Sequence, residues 1–434
     1  MSSKTTALRF GPDDTSASHA TEVLRDRDQA EAYVASVCFK HGPPRLVGVE
    51  LEWLLSRSPG CAAPLDAKAL VAALGPHTPH TLDPRSPALP LPAGSLVTVE
   101  PGGQVELASS PFPNIESLFD AVESDSGMLH TRLRQHGLHP SPYASDPAGP
   151  PRRLLTVPRY SAMEAAFDRI GPHGRSMMCS TAAVQPCFDL GERTDLWQRW
   201  TVLHAVGPVL LAAFANSPVL HGQRTGWKSS RMACWWALDP PRTVPPDLSV
   251  DDPAISYARR VMEAELLCLR RAGASWDAPT GVTFADWLDG ALPSPPTTAD
   301  LDLHLSTLFP PVRPQGHFEV RYLDAQPGQQ WVVPAVVLAA VLSTPTVSAA
   351  VLESCLPVAD RWVAAARIGL ADPELAKAAV AVFTLAVEAL PAVIGFGPVH
   401  DLVERFVQGW VMRGRCPADD AVEPFVADQP GART

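Results

Sequence analysis

Apolar and polar side chains alternate strictly in three short stretches of this chain, and each stretch carries acid on its polar side. In Arg45 to Trp53, Val49, Leu51 and Trp53 fall on one face of a strand, with Glu50 and Glu52 on the other. In His317 to Tyr322, Glu319 and Arg321 oppose Phe318, Val320 and Tyr322. Leu96 to Ser109 reads as two strands around Pro101-Gly102-Gly103. A three-residue loop there, with glycine in the left-handed position, sets Glu100 opposite Gln104 and sends Val99, Val105 and Leu107 together into a core. A two-residue Gly102-Gly103 loop would turn Glu106 to the reverse side, so the three-residue register is favoured.

Helical spacing accounts for most of the remainder. Ala20 to Lys40 predicts a helix stopped by His41-Gly42-Pro43-Pro44, and further helices are expected at Ile115 to His136, Ala162 to Ile170, Ala254 to Arg271 and Phe284 to Leu288. Thr194 to Asn216 follows the same period, with a bend expected at Pro208. Proline-rich Leu74 to Pro92 and Pro140 to Pro158 read as loops, and 417–434 as a loose tail. Trp331 to Leu352 has no charged residue, but Pro334 and Pro345 predict a buried helix, a break and a second helix rather than a membrane span. Val202 to Ala215 is too short to cross a bilayer. Strands and helices mixed in this order predict an α+β fold with a mostly antiparallel sheet in a single domain over 1–416, its C-terminal third helical. No repeat or heptad array occurs.

The formal charge of −11 comes without a basic block, which argues against a nucleic-acid partner. The 8 cysteines form no CxxC pair, and with no basic-then-apolar leader the chain is expected in a reducing cytoplasm. A GxxxxGK[ST] phosphate loop is missing, which argues against that class of ATPase.

Paired carboxylates on one strand face repel, so they are stable when solvated or matched by cations. Glu50 and Glu52 therefore fit either a water-exposed edge strand or a divalent-metal site. The hairpin adds Glu100, Gln104 and Glu106 as one polar patch. Glu319 and Arg321 make a surface ion pair on one reading; beside a phosphate, the carboxylate holds a cation and the guanidinium offers a planar fork to phosphoryl oxygens. His204 and His304 lack partners at metal-ligand spacing and read as structural. Cys179 and Cys187 have no activating base, and Trp227, Trp235 and Trp236 fit core packing as well as a pocket wall.

Six segments in order resemble the glutamate-cysteine ligases of the plant and bacterial type, whose catalytic domain is related to glutamine synthetase. They are Gly48-Val49-Glu50-Leu51-Glu52, the hairpin Glu100 to Glu106, Met178 to Gln185, Phe214-Ala215-Asn216-Ser217-Pro218, Trp227 to Met232, and Phe318 to Asp324. Thr307 to Arg313 and Gly226-Trp227 resemble the actinobacterial branch that makes γ-glutamylcysteine for ergothioneine synthesis. The resemblance implies a glutamine synthetase-like domain with a curved sheet, binding glutamate, cysteine and ATP with two or three Mg2+ ions. It implies Glu50, Glu52, Glu100, Glu106 and Glu319 as metal ligands and Arg321 as the group that stabilises the transferred phosphoryl. Arg231 would bind substrate carboxylate or phosphate, and Gln104, Ser180, Thr181, Gln185 and Asn216 would hydrogen-bond substrate. The chain departs from the pattern at Pro186, which lacks an N–H and suits only an edge or a bulge. Two rivals are another carboxylate-amine ligase on this scaffold and a non-catalytic nucleotide sensor.

Overall fold

Val47–Trp53 forms the strand β1, whose inward residues Val49 and Leu51 are buried. The computed structural model describes residues 21–57, 65–249 and 252–421. Around β1 lie β2 (Leu96–Val99), β3 (Val105–Ala108), β4 (Val184–Phe188), β5 (Val312–Pro314) and β6 (Phe318–Val320). The order across this six-stranded sheet is β2-β3-β1-β4-β6-β5, and every pairing is antiparallel. The α+β expectation holds. Val99 pairs with Val105, and the Glu100 N–H donates to the Gln104 carbonyl at 2.9 Å, so the hairpin uses the three-residue loop. Gly103 takes φ 94°, the left-handed conformation that glycine adopts without a Cβ clash.

Val184–Phe188 lacks the alternation that predicts a strand, yet this is the strand that joins β1 to β6. Pro186 sits inside the sheet, opposite Val49. Its missing donor is accommodated by a slip in pairing on the other side. Glu319 faces Cys187, and the next bridge, Ala183 to Asp324, is one residue out of step, which makes a bulge over Val320 to Leu323. The Arg321 N–H faces β5 and extends that pairing by one residue, donating to the Pro311 carbonyl at 2.8 Å.

Helices cover the apolar face and fill the C-terminal third. α1 (Arg27–Cys38) starts later than Ala20, because the Asp26 side chain caps it by accepting from the Gln29 N–H; Ala20 lies outside the described residues. α2 (Ile115–Gln135) matches its expected span, with Asn114 as cap. The helix expected to Arg271 ends at Glu263, since Glu265 and Cys268 pair in extended form with Thr283 and Asp277. Leu196–Ala205 and Gly207–Phe214 are separate helices, with Pro208 in the first turn of the second, where its missing N–H is harmless.

Trp331 to Leu352 splits as expected into Val332–Val341 and Pro345–Cys355, in a helix pair bent by 107°. Pro373–Val393 is long and apolar enough to cross a membrane, a feature the sequence survey passed over. Its buried Leu375, Ala378, Ala379, Val382, Phe383, Ala386 and Leu390 repeat at helical spacing along one face. That face packs on Val332–Val341 and Pro345–Cys355, as a core helix does. Within the stretch expected to be a loose tail, Pro417–Asp420 is a short helix whose Ala418 is buried and donates its N–H to the Ala215 carbonyl at 2.9 Å. Residues 422–434 lie outside the described set.

Candidate active site

Strand register assembles the acids. Glu52 lies directly opposite Glu106, and Glu106 opposite Thr98; Glu50 lies opposite Gln185. Opposed residues in an antiparallel pair have Cα atoms about 4.5–5.5 Å apart. Glu319, two strands from Glu50, faces Cys187 on one side and Arg313 on the other. Acids from β1, β3 and β6, with Glu100 at the mouth of the hairpin, therefore share one face of one sheet.

The hairpin is clamped against the end of α3 (His173–Ser180). Gln104 donates both amide protons, to the Met178 and Thr181 carbonyls at 3.2 and 3.0 Å, while its oxygen accepts from the Gly102 N–H at 3.0 Å. A Cβ on Gly102 would lie 2.3 Å from the Cys179 carbonyl oxygen, and backbone cannot yield as a flexible side chain would. Gly102→Ala is expected to cost about 1–3 kcal/mol of stability and to displace Glu100 and Glu106 with the turn. Thermal unfolding together with phosphate release checks this, and a variant matching wild type in both would remove the clamp from the account.

Glu319 is fully buried at the centre of a basic pincer. Arg313 binds it through both nitrogens of a fork, at 2.6 and 3.0 Å, Gln315 donates at 2.6 Å, and Arg321 closes on the remaining side. Arg231, also buried, donates to the Arg321 carbonyl at 2.6 Å and lies 3.9 Å from Asp324. Asp324 in turn accepts from the Asn216 N–H and from the hydroxyls of Ser217 and Ser229 at 2.7–2.9 Å.

The two groups of acids have opposite electrostatics. Burial, then the neighbouring carboxylates, pushes Glu52 and Glu106 up to about 8; Glu50 and Glu100 are raised for the same first reason. For Glu319 burial acts upward too, but Arg313 and Arg321 outweigh it and hold the carboxyl below its usual range. A raised acid contributes stability that is complete below its unfolded pKa and is lost as pH rises through the folded value. Without divalent metal the protein should therefore lose thermal stability as pH climbs from about 4.5 through about 8. Magnesium should reduce that loss. Glu319 works in the other direction, with its contribution lost only on acidification. Melting temperatures at several pH values with and without Mg2+ check the sign; a metal-free stability that rises over this range would contradict it.

The donor set fits magnesium. Among the described residues no lysine, arginine or histidine forms an ion pair with Glu50, Glu52, Glu100 or Glu106. Gln185 donates to Glu52 at 2.8 Å and to Glu50 at 3.5 Å, and its own Oε1 is buried without a partner. These are hard oxygen donors without ion-pair partners, whose ionised form a divalent cation would stabilise, the chemistry Mg2+ prefers. No three of these acids bring one oxygen each within 4.8 Å of one another; among the described residues only His400, Asp401 and Glu404, on an outer helix, meet that span. The acids thus line a surface instead of closing a cage. Glu319 is the exception among the expected ligands, since its oxygens are already held by guanidinium groups.

The residues expected to bind substrate divide further. Gln104, Thr181 and Asn216 brace the walls: Thr181 donates to the Met177 carbonyl at 2.7 Å, and Asn216 gives both amide protons to the Pro142 and Ala325 carbonyls at 2.8 Å. Hydrogen-bond capacity used this way is not offered to a ligand. Ser180 Oγ lies 3.0 Å from His221 Nε2, and Gln185 stands among the acids. Arg313, Gln315 and Asp324 were missed as individual site residues. The first two carried a readable signal, because Arg313 and Gln315 alternate with buried Val312 and Pro314 as Glu319 and Arg321 do with Phe318 and Val320.

Residues 46–423 match the model of glutamate-cysteine ligase family 2 (GCS2). The chain belongs to that family. This ligase is 37% identical over 409 residues to the glutamate-cysteine ligase EgtA of Mycolicibacterium smegmatis, covering 92% of each chain. It is 35% identical over 412 residues to EgtA of Mycobacterium tuberculosis, covering 93% of this chain and 91% of that one. The chloroplastic glutamate-cysteine ligase of Arabidopsis thaliana is 28% identical over 239 residues, 53% of this chain and 46% of the plant protein. A crystal structure of a glutamate-cysteine ligase from Francisella tularensis in complex with AMP superposes with a TM-score of 0.51 at 14% identity, over 91% of this chain and 86% of the other, which establishes a shared fold.

Proposed function

We propose that this family 2 ligase joins the γ-carboxylate of glutamate to the α-amine of cysteine at the expense of ATP, supplying γ-glutamylcysteine for ergothioneine synthesis. The observation that carries the reading is one sheet face on which carboxylates without ion-pair partners stand beside buried and partly buried guanidiniums. ATP brings about four negative charges of its own, and such a site needs divalent cations to accept it. Glu50, Glu52, Glu100 and Glu106 are the residues that would hold two or three magnesium ions, with Glu319 joining them if its arginines swing to phosphate. Magnesium, when bound, would neutralise phosphate charge.

The chain's own groups position and neutralise. Glutamate's carboxylate attacks the γ-phosphate of ATP, which forms γ-glutamyl phosphate and releases ADP; the cysteine amine then displaces phosphate. Arg321 meets the charge that develops on the transferred phosphoryl oxygens, and Arg231 holds an anionic substrate group beside Glu52. No side chain forms a covalent intermediate. The described cysteines are all free, which supports a reducing, cytoplasmic setting, and all but Cys187 are buried.

The test is phosphate release from glutamate, ATP and Mg2+ with each amino acid in turn, with the dipeptide identified by mass. Cysteine should give the fastest release. Faster turnover with another amine would reassign the acceptor, and nucleotide binding without amine-dependent turnover would mark a sensor.

A further inference from the structure

Two arginines of this site share one aromatic ring. In α4 (Ser230–Trp236), Arg231 and Trp235 are four residues apart and so lie on one helix face. Arg231 Cζ stands 4.8 Å from the Trp235 ring centroid, and Arg321 Cζ, arriving from the bulge after β6, stands 5.5 Å from it. Both distances fall within the ~6 Å range of cation–π attraction. The ring is 3% exposed and is held on another side by Phe309, with centroids 6.1 Å apart.

The ring solves a problem that the ion pairs leave open. A buried guanidinium and a partly buried one repel, and the charge of Arg321 acts against that of Arg231. Their carboxylate partners lie apart: Asp324 serves Arg231, and Glu319 serves Arg321. Arg321 Nε is buried with no hydrogen-bond partner, so Glu319 grips only the tip of the side chain. The electron-rich indole face is what remains to fix the orientation of the guanidinium plane.

We infer that Trp235 is a positioning residue for phosphoryl transfer, its indole holding Arg321 and Arg231 in the orientation that the reaction uses. The inference rests on the proposed role of Arg321 in phosphoryl stabilisation. An indole is worth more to a cation than a phenyl ring, and a phenyl ring more than an aliphatic side chain. Trp235→Leu should therefore lower kcat about tenfold, with KM for cysteine within about twofold, while Trp235→Phe stays within about threefold of wild type. In an Arg321→Lys background the Leu substitution should lower kcat by less than about threefold, because the guanidinium that meets the phosphoryl charge is gone and Arg231, still beside the ring, serves substrate binding.

The experiment is this double-mutant cycle, read by phosphate release, with thermal unfolding confirming that each variant is folded. If Trp235→Leu does not fold, Trp235→Met replaces it in the cycle. Equal kcat for the Phe and aliphatic variants, or a full tenfold loss in the Arg321→Lys background, would overturn the inference and assign Trp235 to packing. Wild-type turnover by Arg321→Lys alone would instead overturn the role of Arg321, an outcome read without any change at Trp235.

Discussion

Glu52→Gln is expected to lower magnesium-dependent turnover by more than about 100-fold, exceeding the 10–100-fold that partners of metal ligands command when mutated. The substitution keeps the shape of the side chain. An amide oxygen can still accept from the Ala183 N–H, which donates to the Glu52 carboxylate at 2.8 Å. What disappears is one negative charge placed directly opposite Glu106. The fold should tolerate that change, since metal-free Glu52 is strained by burial and by like charge from Glu100. The metal site should not. Phosphate release titrated against Mg2+, beside a melting curve, separates the two effects. A folded variant with wild-type turnover would remove Glu52 from metal binding, and an unfolded one would show that its role is structural.

Arg321→Lys is expected to lower kcat by about 10²–10³-fold, the range seen when one preorganised transition-state donor is lost. Lysine preserves the positive charge and can still pair with Glu319, so the pincer around that acid should survive. It has no planar fork, and a compact ammonium held by Glu319 has no second face for phosphoryl oxygens. The loss should therefore appear in turnover and not in KM for ATP. Steady-state kinetics with each substrate varied checks the split. A defect confined to KM would make Arg321 a ground-state binder.

These two expectations draw on different kinds of legibility. The face carrying Glu52 was readable because side chains alternate with a period of two wherever a strand forms, whatever its neighbours. The hairpin register was readable for a similar reason: only the three-residue loop buries Val99, Val105 and Leu107 together. Helix starts were less legible, as α1 shows, because one aspartate cap outweighed the plausible helical pattern of residues 21–25 before it. Pro186 was read as an edge or bulge residue; it lies in a central strand, paired in register with Val49, and the bulge is in the neighbouring strand opposite it. Asn216 and Gln104 were read as substrate donors, since a free amide and a bracing amide look alike until the carbonyls near them are known.

By itself the amino-acid order determined the strand faces, the acidic and basic character of those faces and the turn that joins two of them, because these depend on local geometry and on residues close in the chain. Tertiary structure alone decided that Glu106 stands against Glu52, that Glu319 is gripped by Arg313 as well as Arg321, and that one indole serves two arginines. Two of those pairings, Glu106 with Glu52 and Arg321 with Trp235, join residues dozens of positions apart, and the turn between β5 and β6 brings Arg313 to Glu319. They are set by which strands lie side by side and which helix packs over them, and packing of that kind leaves no periodic trace in the chain.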